Sequence, residues 1–141
     1  MMPSVDLSAA IIREPLTVPL KTPLLEAIAL MDRNFPPDPN LEDTPCCILV
    51  VDQQQAVGIL TERDVVRLTL QQRPLGEMTL AQAMRRPLIS LPETAFVDVA
   101  AVTRLFTQHR IRHMPLVDGQ GKLAGLVTRD SLRQVVLTQK L

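Results

Sequence analysis

The chain contains no tryptophan and no tyrosine, and its only aromatics are three phenylalanines, 2% of 141 residues. Its formal net charge is zero. It therefore offers neither a stacking platform for bases nor a basic face for phosphates, which argues against a nucleic-acid reader. Charge neutrality also gives no pull toward an anionic membrane. No apolar run approaches the roughly 18 residues of a membrane span. The opening MMPSVDLSAA lacks a basic segment followed by a long apolar stretch, so no secretory signal is read.

The two cysteines are neighbours, Cys46 and Cys47. Adjacent side chains on a strand point to opposite faces, so a disulfide between them is not expected. Two buried thiols fit a reducing cytoplasm, and cytoplasmic localisation is the expectation. The only histidines, His109 and His113, have zinc spacing for a helix. Pro115 turns the residues before it extended, so no metal site is read there. There is no Gly-x-x-x-x-Gly-Lys loop and no Cys/His pair set up as nucleophile and base, so the chain is not read as an enzyme.

What the sequence does have is apolar bulk and self-similarity. It is 46% hydrophobic and 21% charged, the balance of a globular chain of about one domain. Shifted by 72 positions, Ala9 falls on Ala81, Arg13 on Arg85, Pro15 on Pro87, Leu16 on Leu88, Thr22 on Thr94 and Ala29 on Ala101. Further on, LVVD (Leu49 to Asp52) meets PLVD (Pro115 to Asp118) at an offset of 66, and Gly58 and Thr61 meet Gly125 and Thr128 at 67. The change of offset places an insertion in NFPPDPNLEDTP, whose four prolines read as a surface loop. The boundaries are a first repeat at 7–72, a linker at 73–78 and a second repeat at 79–138.

Each repeat has one coarse plan. A segment before Pro15 or Pro87 leads into a brief strand. Thr22 is expected to cap a helix with Pro23 in its first turn, and Leu24, Ala27, Ile28 and Met31 fall on one face. Phe96, Val99, Ala100 and Thr103 repeat that face less cleanly. CCILVVD and AVGIL, then HMPLVD and LAGLV, read as pairs of buried strands joined by a turn. A second helix starts at Thr61 or Thr128 and carries Val65 and Val66, or Leu132, inward. MRRP (Met84 to Pro87) reads as a solvated charge run. The tail presents Leu132, Val135, Val136 and Leu137 to one side. The fold class is therefore α/β, two pseudo-symmetric β-α-β-β-α repeats packed into one module, because a unit of about 60 residues is marginal alone. The repeated amphipathic helices leave an apolar excess that predicts a homodimer.

This order of elements, the AMRRPLISLPE lead-in, the HRIRHMPLVD strand and the GLVT strand-to-helix step resemble a tandem pair of cystathionine β-synthase (CBS) domains over roughly residues 7–138. The resemblance implies two clefts between the repeats, an adenine nucleotide as a regulatory ligand rather than a cofactor, and an output domain or partner protein to receive the signal. It places ribose and phosphate on Thr61 and Asp64. It places adenine against Leu16, Thr17, Leu88 and Ile89, with Ile48 and Met114 nearby, and phosphate near Arg112 and His113 ahead of Pro115. Cys46 and Cys47 stand at the latter positions in the first repeat.

Physics allows such a site at GILTERD (Gly58 to Asp64). Gly58 lets a backbone or ligand approach the strand. The helix start at Thr61 offers unpaired N–H groups and a positive dipole end to an anion. The same Thr-x-x-Asp pattern is also a capping box that serves the helix alone, and both readings stand. In the second copy Thr128 is followed by Ser131 where the first has Asp64. A neutral hydroxyl is a weaker acceptor than a carboxylate, so one strong nucleotide site per chain, at Asp64, is expected. The alternative function is a dimerisation or docking module without ligand.

Overall fold

The computed structural model describes residues 6–34, 47–85 and 87–139. In chain order these form β1 (Ile11–Ile12), β2 (Thr17–Pro19), α1 (Leu24–Arg33), β3 (Cys47–Asp52), β4 (Gln55–Thr61), α2 (Glu62–Leu70), α3 (Leu80–Ala83), β5 (Leu91–Pro92), α4 (Val99–His109), β6 (His113–Val117), β7 (Leu123–Thr128) and α5 (Arg129–Gln139). The expected α/β class is found: the described residues form five α-helices, α3 being additional to the two expected per repeat, and two sheets. The proline-rich insert and Cys46 lie outside the described residues.

The chain divides into two compact units, Pro15–Leu88 and the pair of segments Met1–Glu14 and Ile89–Leu141. In the first, the sheet order is β2-β3-β4, with β2 parallel and β4 antiparallel to β3. Alternation along the strands sends Ile48, Val50 and Leu60 into a core with Leu24, Ala27 and Met31 of α1, Leu68 of α2, and Leu80 and Ala83 of α3. In the second, the order is β1-β7-β6-β5. Met114, Leu116 and Val127 pack with Val102 and Phe106 of α4, Leu132 and Val135 of α5, and Leu7 and Ala10 from the chain start.

The lead-in segments of the two sequence repeats are thus exchanged. Ile11 and Ile12, from the first repeat, pair antiparallel with Val127 and Leu126. Met84 and Arg85, from the second, lie on β4, where the Arg85 N–H donates to the Ile59 carbonyl at 3.1 Å. Each crossing needs a glycine beneath it. A Cβ on Gly58 would collide with the Met84 thioether, and one on Gly125 would sit 2.7 Å from Cγ2 of Ile11. The two glycines also occupy one register, Gly58 opposite Val50 and Gly125 opposite Leu116, each beside a bulge.

Several local expectations are corrected. Thr22 does not cap α1: Pro23 is the N-cap, extended at ψ 143° and without a side-chain cap. It is held there by an antiparallel bridge to Thr79. The second repeat's first helix begins later than expected, at Val99, where the Asp98 carboxylate accepts from the Ala100 N–H at 3.0 Å. Its buried face is therefore Val102 and Phe106, while Ala100 and Thr103 face outward. On α2 Asp64 and Leu68 are buried and Val65 packs against the core as expected, but Val66 is exposed. Leu137 is exposed on α5, and Met84 of the MRRP run is buried. The β3–β4 hairpin turns on Gln53 and Gln54, both left-handed at φ 51° and 69°, where glycine or asparagine is the usual choice.

Candidate functional site

Strand direction decides which expected site residues meet. β2 and β3 start, and β4 ends, at one edge of the first sheet. Thr17 pairs with Leu49, the Leu16 carbonyl accepts from the Leu49 N–H at 2.9 Å, and Ile48 and Cys47 pair with Leu60 and Thr61. Leu16, Thr17, Ile48, Thr61 and Asp64 therefore gather at one end of the Pro15–Leu88 unit. In the other unit His113 pairs with Thr128 and Met114 with Val127, Ile89 stands two residues before β5, and Ser131 lies in the first turn of α5. Arg112 is exposed there, and its carbonyl accepts from the Arg129 N–H at 2.9 Å. His109 ends α4 and His113 opens β6, so the two do not share a helix.

Accessibility separates these residues. Thr17 and Arg112 are exposed, and Leu16, Thr61, Ile89, His113 and Ser131 are half-buried. Ile48 and Met114 are core residues with no exposed surface, and Pro115, Gly58 and Thr128 are buried. Gly58 lies mid-strand and faces Met84, so its missing side chain is explained by chain packing.

The strand-to-helix step of the first unit is a complete capping box. The Asp64 carboxylate Oδ2 accepts from the Thr61 N–H and the Thr61 hydroxyl, each at 2.9 Å, and the Asp64 N–H donates to Thr61 Oγ1 at 3.3 Å. Asp64 is only 2% exposed. Its other oxygen, Oδ1, stands 3.5 Å from Nη2 of Arg67. The second unit makes the same box with neutral groups. The Thr128 N–H donates to Ser131 Oγ at 3.0 Å, and the Ser131 N–H donates to Thr128 Oγ1 at 2.9 Å. The Ser131 hydroxyl donates onward to the Thr128 carbonyl at 3.0 Å. The absent second aspartate is thus replaced by a serine that makes the reciprocal cap with a neutral hydroxyl. Sequence reasoning missed Arg67, although an Asp–Arg pair three apart on a helix is a recognisable signal. Its counterpart at the same offset is Gln134.

Two α/β units built by exchange between tandem repeats, each with a threonine at the strand-to-helix step, define a repeat-pair module. The CBS domain family matches residues 6–70 and 79–138. The chain belongs to this family.

Among curated proteins it is 33% identical over 89 residues to an uncharacterised protein of Methanopyrus kandleri, covering 62% of this chain and 44% of that one. It is 32% identical over 130 residues to inosine-5'-monophosphate dehydrogenase of Thermoplasma acidophilum, covering 92% of this chain and 23% of the enzyme. The chain thus spans less than half of either relative. Among solved structures it matches a protein with CBS domains from Burkholderia ambifaria at TM-score 0.74 and 29% identity, over 92% of this chain and 87% of that one. The CBS domain pair of protein MJ0100, solved with 5'-methylthioadenosine and S-adenosyl-L-methionine, matches at TM-score 0.77 and 20% identity, over 97% and 99%. No described helix is long and apolar enough to cross a membrane.

Proposed function

We propose that this CBS pair is a non-catalytic regulatory module that binds an adenine nucleotide, most strongly at the Thr61–Asp64 step, and passes its occupancy to an output domain or partner protein. The observation that carries this reading is the buried charge of Asp64. Ser131 makes the same capping box with a neutral hydroxyl, so capping alone does not call for a carboxylate there. Burying one is costly. A ribose diol gives that charge a use, because a carboxylate can accept from both hydroxyls and hydrogen bonds to charged groups are the stronger ones. The exposed Thr17 and the half-buried Leu16 at the same end of the sheet add a partly apolar surface beside the carboxylate. Two solved neighbours support the reading: the MJ0100 pair was solved with 5'-methylthioadenosine and S-adenosyl-L-methionine, and the cytosolic domain of the Mg2+ channel MgtE with ATP.

On this reading the module acts in the cytoplasm as a homodimer. Leu25, Val66 and Leu70, exposed on α1 and α2, supply apolar surface for the contact. The second reading is a docking or dimerisation module that binds no ligand. It is favoured by one observation: Asp64 Oδ2 is already satisfied within its own helix. Melting the full chain with AMP, ADP and ATP separates the two. A ligand at 100 times its dissociation constant adds about 2.7 kcal/mol of stability. A melting temperature unmoved by all three nucleotides refutes the ligand reading.

A further inference from the structure

We infer that Arg67 is a competitor for the Asp64 carboxylate that a ribose diol has to displace, and that it thereby sets the affinity of the first repeat's site. This rests on the nucleotide reading above and names the residue that regulates it. Of the two carboxylate oxygens, Oδ2 is committed to the Thr61 N–H and hydroxyl. A diol that leaves the helix cap intact therefore has to use Oδ1. That oxygen faces Arg67 Nη2 at 3.5 Å, longer than a good hydrogen bond.

The two partners differ in freedom. The Asp64 side chain is 3% exposed, whereas that of Arg67 is 50% exposed. The aspartate is held by the cap, and the guanidinium sits on a long stem at the surface, so the arginine is the member that can swing away. The geometry is confined to one repeat. The corresponding positions of the other carry Ser131 and Gln134, with neither a carboxylate to hold nor a guanidinium to compete. A half-exposed ion pair of this kind is weak. Displacing it is thus a modest and reversible cost, which tunes affinity and leaves binding possible.

The test is calorimetric titration of the full chain and of Arg67→Gln and Arg67→Lys with AMP and with 2',3'-dideoxyadenosine monophosphate, which lacks the diol. Arg67→Gln should bind AMP about two- to fivefold tighter than the unaltered chain and the dideoxy analogue no tighter. Arg67→Lys, which keeps the competing charge, should bind AMP no tighter than the unaltered chain. Binding of AMP by Arg67→Gln alone supports the inference. If the unaltered chain binds AMP and Arg67→Gln binds it equally or more weakly, the inference is overturned and the nucleotide reading survives. An equal gain for the dideoxy analogue, or a lysine variant as tight as the glutamine one, also overturns it. Absence of AMP binding by all three chains overturns both.

Discussion

Replacing Gly125 with alanine probes the exchange of lead-in segments directly. The new Cβ would lie 2.7 Å from Ile11 Cγ2 and 3.3 Å from the Ile12 carbonyl oxygen. Neither obstacle yields easily: Ile11 is β-branched and stiff at χ1, and the second is backbone. The collision lifts β1 from β7 and disturbs Leu7 and Ala10, which are 6% and 1% exposed in the core beneath. Overpacking of this sort costs about 1–3 kcal/mol. At roughly 2–4 °C per kcal/mol, the melting temperature should fall by roughly 2–12 °C. Circular dichroism measures the fall, and hydrogen exchange should show the Ile11 and Ile12 amides losing protection first. Ile11→Ala removes the offending methyl, so the double variant should recover part of the loss, with a coupling of at least about 0.5 kcal/mol. A Gly125→Ala chain as stable as the parent, or strictly additive single variants, would refute the argument. Gly58→Ala should cost less, because its obstacle is the flexible Met84 side chain.

Other consequences follow from local geometry. Asp98→Ala removes the side-chain acceptor that starts α4 and should destabilise the chain by about 1 kcal/mol in urea unfolding. Gln54→Gly relieves a left-handed residue in the β3–β4 turn and should raise stability by up to about 1 kcal/mol, read from the same melts. The Arg13–Glu93 pair is short, 2.6 Å, but its side chains are 54% and 37% exposed. Glu93→Gln should therefore change stability by less than about 1 kcal/mol.

The repeat, the strand pairs and the strand-to-helix steps were legible because they are written in short-range patterns. The offsets of 66 and 67 residues reappear as matching registers and bulges at Val50/Val51 and Leu116/Val117. The exchange of Ile11–Ile12 and Met84–Arg85 was not legible, because periodicity says which face of a segment is apolar and nothing about which sheet it joins. The glycines were its only trace. The start of α4 was misplaced because Phe96, although buried, precedes the helix, and Asp98 was not recognised as the cap. At the candidate site the sequence held two readings of Thr61 and Asp64 open. The geometry realises the capping box in full, while the buried charge keeps a reason for the ligand.

The most direct measurement is calorimetric titration of the full chain with AMP, ADP and ATP beside its Asp64→Ser and Ser131→Ala variants. Serine at 64 copies the cap that the second repeat already makes, so Asp64→Ser should melt close to the parent. The account predicts a stoichiometry near one for the unaltered chain, about tenfold or greater weakening in Asp64→Ser, and no change in Ser131→Ala. Undiminished nucleotide binding by a folded Asp64→Ser chain, or equal weakening by both substitutions, would contradict it.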